Sequence, residues 1–168
     1  MTDKNINLDN ISYRIKFIKD LLKNKKFVSL LDFNSTDTDA FENKSDRLDI
    51  RTVLNKKQYD FNKVINDIGG KLLYIKSGST GHTFKGIFPT NNHEINYAVK
   101  VVAYPKKQGY GNLYDIRRPE NAELMMLKTL SYFVINNQTP HIVLPILTFN
   151  TALKPFTQLS KGDIVNNK

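Results

Sequence analysis

The alternation of apolar and polar residues predicts three consecutive β-strands in the middle of the chain. The first apolar run covers residues 72–75 and meets a Ser/Gly-rich turn at 77–81. A second run covers 83–88, and after a polar turn a third run covers 95–103. Runs of this length joined by short turns favour an antiparallel sheet.

Two helices are predicted before these strands. In residues 11–31 apolar side chains recur at helical spacing, and Asp9 or Asn10 is placed to cap the start. A polar segment at 34–47 predicts a linker, and residues 58–68 predict a short helix that ends at Gly69-Gly70. The inward residues of that short helix are Phe61, Val64, Ile65 and Ile68. We therefore expect a helical N-terminal extension with a polar linker, 1–70, and a second domain, 71–168.

A longer helix is predicted at 120–134, because Pro119 suits a first helical turn. One stripe of this helix is formed by Glu123, Leu127, Leu130 and Val134. A carboxylate thus heads an otherwise apolar face. After Thr139-Pro140, residues 142–149 predict another strand, with Pro145 near an edge or a bulge.

The composition narrows the function classes. The chain has no cysteine, which excludes disulfides, thiol catalysis and Cys-based metal sites. It has no signal-peptide pattern and no long apolar run, so we expect a soluble intracellular protein without a membrane span. The net charge is +9, and residues 71–168 hold 12 basic but 5 acidic residues. The excess of positive charge therefore lies in the part that contains the Gly-rich turn, which points to a phosphate or nucleic-acid ligand.

Two charged residues in apolar surroundings are the candidates for chemistry. Lys100 lies in the third strand among Val99 and Val101, and Glu123 lies on the apolar stripe of the following helix. Buried charges need partners, so we expect these two to pair beside the Gly-rich turn, where backbone N–H groups can approach phosphates. Glu120 competes with Glu123 for this role. The simpler alternatives are a strand lysine that reaches water, a first-turn glutamate and a plain hairpin turn.

These residues resemble the N-terminal lobe of protein kinases, and most of all the serine/threonine kinases of large DNA viruses. The Gly-rich loop G-x-G-x-x-G-x-V of that family matches K-S-G-S-T-G-H-T at 76–83. The strand motif V-A-I-K matches Y-A-V-K at 97–100, and the helix glutamate matches Glu123 in A-E-L-M-M-L. The family's H-P-N-I-V resembles T-P-H-I-V at 139–143. Lys76 departs from the family's first glycine, and Thr83 departs from its valine.

The resemblance, which covers about 71–150, implies an α+β fold: a kinase-like small lobe with a twisted antiparallel sheet and one long packed helix. It implies ATP with Mg²⁺ as the ligand and Lys100 and Glu123 as the catalytic residues. Lys100 would hold the α- and β-phosphates while Glu123 positions it. The remaining residues would contact the nucleotide: Gly78, Ser79 and Gly81 at its phosphates, and Ile75, Thr83 and Ala98 at its adenine.

The H-R-D-x-x-x-x-N and D-F-G motifs of kinases are not found in the sequence, so it offers no Mg²⁺ ligands. We therefore expect this polypeptide to be inactive alone and to need a C-lobe or another protein partner at its interlobe face. The alternative is a non-catalytic kinase-like binding or structural module. If the protein is viral, the host cytoplasm or the virion is its expected location. Nucleic-acid binding through the Tyr- and Lys/Arg-rich loop at 104–118 is the weakest hypothesis.

Overall fold

The structure is a computed structural model in which the chain divides into two compact units. One unit comprises Met1–Lys56 and Lys107–Thr148, and the other comprises Lys57–Lys106 and Phe149–Lys168. The residues that the structure describes are 10–23, 25, 27, 29–31, 51, 54, 56–68, 71–79, 81–89, 94–105, 109–152, 154–156 and 164–165. The predicted glycine stop at 69–70 and the linker at 34–47 lie outside them.

The second unit contains the sheet. Its long strands are β1 (Lys71–Ser77), β2 (Gly81–Pro89) and β3 (Glu94–Val102), and a two-residue strand β4 (Ile164–Val165) pairs with β1. The order is β3-β2-β1-β4, and every pairing is antiparallel. The predicted three-stranded antiparallel sheet and the α+β class are therefore confirmed.

The core of this unit forms on one face of the sheet. Helix α2 (Phe61–Ile68) packs there, and the rings of Phe61 and Phe156 meet edge to face with centroids 4.5 Å apart. The predicted inward residues of α2 are all buried, as its apolar spacing requires. The helix starts at Phe61 rather than at residue 58, because Gln58 forms a parallel bridge with Asn150 and the Asp60 carboxylate accepts a hydrogen bond from Lys63 N at 2.9 Å.

Helix α2 thus packs in the same unit as the sheet, although the sequence places it in the N-terminal extension. Compact packing units and functional domains need not coincide. The proposed domains, 1–70 and 71–168, stay a prediction.

The other unit is helical. Helix α1 (Ile11–Leu22) begins at Asn10, whose Oδ1 accepts a hydrogen bond from Tyr13 N at 3.1 Å, so Asn10 is the cap. The prediction of a helix to residue 31 is wrong beyond Leu22. The regular apolar spacing stops there, and a polar, lysine-rich run follows at 23–26, which gives a longer helix no apolar face to bury.

Helix α3 (Pro119–Ile135) matches the predicted long helix and its proline start, with Arg118 at the cap position. Its buried residues are Glu120, Asn121, Ser131 and Val134. The expected stripe is therefore only partly right, since Val134 is buried while Glu123 is exposed. Leu127 of that stripe packs against Leu30 and Leu54 together with Leu124 and Met125, so the packed face of the helix is shifted from the expected one.

The strand predicted at 142–149 is wrong: these residues form no ladder. At the start of this segment the carbonyl of Ile142 accepts a hydrogen bond from the Arg14 guanidinium, which also donates to Pro140 O, both at 2.7 Å. Pro145 has no N–H to give to a neighbouring strand. Among the described helices, none is long and apolar enough to cross a membrane.

Candidate functional site

The Gly-rich turn joins β1 to β2 and is closed by a hydrogen bond from Gly78 N to Gly81 O at 2.7 Å. Its two glycines have different surroundings. A Cβ at Gly81 would collide with the carbonyl oxygen of Val101, so the close approach of β3 requires glycine there. A Cβ at Gly78 would meet nothing nearer than 4.0 Å, and Ser79 is exposed. The outer side of the turn is therefore open to a ligand.

The register of β2 and β3 brings the predicted nucleotide residues to one face. Thr83 pairs with Lys100 and Lys85 pairs with Ala98, so Thr83, Ala98 and Lys100 lie on the same side. This face is opposite to the one that packs on α2, and Ala98 and Lys100 are exposed on it. The sheet thus groups these residues near the turn.

The structure corrects one premise about Lys100. We expected a lysine buried among apolar neighbours, yet its side chain is exposed. Val99 and Val101 point to the core face, and Lys100 lies between them on the outer face. Ile75 is half-buried and lies between Tyr74 and Lys76, where the pairing of β1 with β2 shifts by one residue and forms a bulge.

Glu123 belongs to the other unit and is exposed on α3. The observation that singled it out in the sequence, a carboxylate on a buried apolar stripe, is not met, whereas the match of Glu123 to the family's A-E-L-M-M-L pattern is unaffected. Its role as the partner of Lys100 stays a prediction.

A buried polar cluster that the sequence analysis missed lies at the start of α3. Arg118 Nε donates to Glu120 Oε1 at 2.7 Å, and the two side chains are only 3% and 8% exposed. The second oxygen of Glu120, Oε2, is buried and accepts no hydrogen bond from the residues that the structure describes. No periodic signal marks this pair, because i and i+2 do not face each other within a helix and Arg118 precedes the first turn.

Asn121 connects this cluster to the preceding loop. Its Nδ2 donates to Leu113 O at 3.0 Å and to Asp115 O at 2.9 Å, and its Oδ1 accepts from Lys56 Nζ at 2.6 Å. Burial lowers the pKa of Lys56, the Glu120 charge opposes that shift, and the Arg118 charge adds to it. The cluster holds together the loop, α3 and the segment that contains Lys56.

The loop before α3 has a definite conformation in residues 109–118. Gly109 and Gly111 have φ values of 103° and 66°, which suit glycine. The Asp115 carboxylate accepts hydrogen bonds from Arg117, and these lower the Asp115 pKa to about 2. Arg118, which the nucleic-acid hypothesis placed on a surface loop, is buried.

The described residues contain no cluster of three or more His, Asp or Glu side chains that could hold a metal ion.

Comparison with known proteins bears on the family. The chain is 42% identical over 151 residues to the "Putative serine/threonine-protein kinase R400" of Acanthamoeba polyphaga mimivirus. The chain resembles a viral serine/threonine-protein kinase. The alignment covers 90% of this chain and 30% of the length of that relative. No protein-family model and no solved structure matches the chain. The resemblance predicted from the motifs is confirmed by this relative.

Proposed function

We propose that the chain is the ATP-binding part of a kinase-like protein, with the nucleotide on the outer face of the sheet. The register that sets Lys100 opposite Thr83, near the Gly-rich turn, carries the proposal. In it, Gly78, Ser79 and Gly81 lie over the phosphates and Lys100 holds the α- and β-phosphates. Ile75, Thr83 and Ala98 contact the adenine.

The local geometry suits such a ligand. A phosphate oxygen can come close to the turn because Gly78 has open space where a side chain would be. An exposed ammonium on the same face supplies the opposite charge. Phosphoryl transfer from MgATP to protein hydroxyls would need a C-lobe that contributes the base and the Mg²⁺ ligands. The chain aligns with 30% of the length of the mimivirus relative, which supports a division between an ATP-binding part and a C-lobe.

Glu123 is the glutamate that we propose to position Lys100. Glu120 already accepts a hydrogen bond from Arg118 in a buried pair. Recruiting Glu120 would break that buried charged hydrogen bond, which is costly. Glu123 is exposed, so it can change its contact at little cost.

The first experiment is an ATP titration of the wild-type chain and Lys100→Ala, with Lys71→Ala as the control. Lys71 is an exposed lysine at the far end of β1, so its loss removes the same charge away from the turn. We expect Lys100→Ala to weaken ATP binding about tenfold or more, in line with a hydrogen bond between charged groups. Equal affinities for the two variants would overturn the assignment of Lys100.

The second experiment uses the protein completed by its C-lobe. Lys100→Ala should abolish phosphoryl transfer and leave the fold intact, as judged by an unchanged circular dichroism spectrum. Glu123→Gln should lower turnover more than Glu120→Gln does, although Glu120→Gln disturbs a buried pair. Near-normal kinase activity of Lys100→Ala would contradict the proposal that Lys100 holds the α- and β-phosphates.

A non-catalytic binding module is the second candidate, favoured by one surface of α3. Met126, Leu130 and Phe133 follow helical spacing and are 66%, 38% and 38% exposed. Exposed apolar stripes mark protein-binding surfaces. This candidate replaces the first if the wild-type chain binds no ATP while Phe133→Asp changes its association state in light scattering.

A further inference from the structure

Aromatic rings on the core face fix the two strands that form the arms of the Gly-rich turn. Tyr74 of β1 pairs with Phe84 of β2, and their ring centroids are 5.5 Å apart. Tyr74 directly precedes the bulge at Ile75, and Phe84 directly follows Thr83. Because side chains alternate along a strand, the Phe84 ring lies behind Thr83, on the opposite face of the sheet. The positions of both arms of the turn therefore depend on these two rings.

Two further rings complete this cluster, and both come from outside the three long strands. The Phe84 ring centroid lies 6.4 Å from that of Phe61 on α2 and 5.7 Å from that of Phe156. All members of this ring cluster, Phe61, Tyr74, Phe84 and Phe156, are at most 7% exposed. Buried side chains are close-packed, so a displacement of one ring is transmitted to the next. The arms of the turn are thus supported from behind by α2 and by the segment that contains Phe156.

The segment that leads into α2 is anchored independently of the rings. Tyr59 N donates a hydrogen bond to Asn150 O at 2.9 Å, and Asn150 N donates one to Lys57 O at 3.0 Å. These backbone hydrogen bonds join the entry of α2 to the segment that leads to Phe156. A change in the Phe61 ring should therefore loosen the strands that it supports while the start of α2 stays in place.

We propose that Phe61 and Phe156 are positioning residues of the nucleotide site. This inference rests on the proposed function. Through Phe84 and Tyr74, these two rings hold the arms of the Gly-rich turn in the conformation that receives the phosphates, and they act from the face opposite to the nucleotide. Both residues lie outside the stretch that resembles protein kinases, 71–150, so α2 belongs to the nucleotide-binding unit although no motif marks it.

Calorimetric titrations with ATP test this inference on the wild-type chain, Phe61→Leu, Phe156→Leu and the control Val64→Ala. Leucine removes a ring but keeps an apolar side chain, so the fold should persist. Val64 is a matched control because it is fully buried on α2 but lies outside the ring cluster. Each ring variant should lose about three- to tenfold in ATP affinity, as expected if the turn is competent to bind in about a third to a tenth of the molecules. Val64→Ala should bind ATP like the wild-type chain.

Hydrogen exchange without ATP gives a second readout, which does not depend on the ligand. The amide of Gly78 reports on the closure of the turn, because it donates to Gly81 O. This amide should exchange faster in both ring variants than in the wild-type chain and in Val64→Ala. The measurement is made at a temperature at which circular dichroism shows all four chains to be folded, so that global unfolding does not contribute.

The outcomes separate this inference from the proposed function. If the wild-type chain binds ATP, and the ring variants weaken ATP binding no more than Val64→Ala does, this inference is wrong while the nucleotide site stands. Equal exchange of the Gly78 amide in all four chains would also overturn it, because the rings then do not position the turn. If the wild-type chain binds no ATP, the proposed function fails and this inference fails with it.

Discussion

Replacement of Asn121 by alanine is the sharpest test of the buried cluster at the start of α3. The side chain is fully buried and makes three hydrogen bonds, to two loop carbonyls and to the Lys56 ammonium. Alanine removes all three at once. It leaves the carbonyl of Leu113 and the half-buried ammonium of Lys56 without these partners.

The expected cost follows from the kinds of bond that are lost. Each neutral hydrogen bond contributes about 1 kcal/mol to stability, and the bond to a charged group contributes about 1.5–3 kcal/mol. The free energy of unfolding should therefore fall by about 3–5 kcal/mol. For a chain of this size each kcal/mol lowers Tm by about 2–4 °C, so a decrease of about 6–20 °C is expected.

Thermal and urea unfolding followed by far-ultraviolet circular dichroism measure this change, with Asn136→Ala as the matched control. Asn136 caps the C-terminal end of the same helix and is exposed, and its side-chain amide donates a hydrogen bond to Tyr132 O at 2.9 Å. That variant should stay within about 0.5 kcal/mol of wild type. If Asn121→Ala and Asn136→Ala unfold alike, the cluster does not stabilise the helical unit as argued.

Two further predictions concern the turn and the loop. Gly81→Ala should destabilise the sheet by about 2 kcal/mol or more, because its Cβ would collide with the Val101 carbonyl oxygen. Gly78→Ala should leave the midpoint of urea unfolding unchanged and affect only ligand affinity. Equal unfolding midpoints for the two variants would contradict this difference. Asp115 should titrate at about 2 in NMR, against an ordinary pKa of 3.8, and Arg117→Ala should raise that pKa. Because the folded pKa is lowered, this carboxylate stabilises the loop above pH 3.8, and its contribution is lost as the pH falls through about 2. A wild-type value near 3.8 would refute the contact.

The sheet could be predicted from the sequence because its signal is local. Apolar and polar residues that alternate with a period of two indicate each strand, and short polar turns between the strands indicate antiparallel pairing. The same alternation also assigns Lys100 to the outer face, since Val99 and Val101 on either side take the core face. We expected burial because the neighbours along the chain are apolar, and in a strand those neighbours point the other way.

The missed features depend on contacts between distant residues. Arg14 donates hydrogen bonds to the carbonyls of Pro140 and Ile142. The residue pattern within 142–149 cannot predict a hydrogen-bond donor that lies more than a hundred residues earlier in the chain. On α3, helical spacing allows either Glu120 or Glu123 to head a stripe. Only the packing of the unit decides that Glu120 is buried, where Arg118 can pair with it.

The bulge at Ile75 has a consequence for how this protein can change over evolutionary time. A point mutation at Lys76 alters a side chain on an exposed face, so the residue at this position can change while the fold persists. Loss of the single codon for Ile75 would restore the regular ladder and keep Lys76 opposite Thr83 on the outer face, because Lys76 would then follow Tyr74 directly. Relatives should therefore vary in residue type at position 76, and some should lack one residue in β1 while the later residues of the strand keep their faces, a pattern that an alignment of viral homologues can reveal.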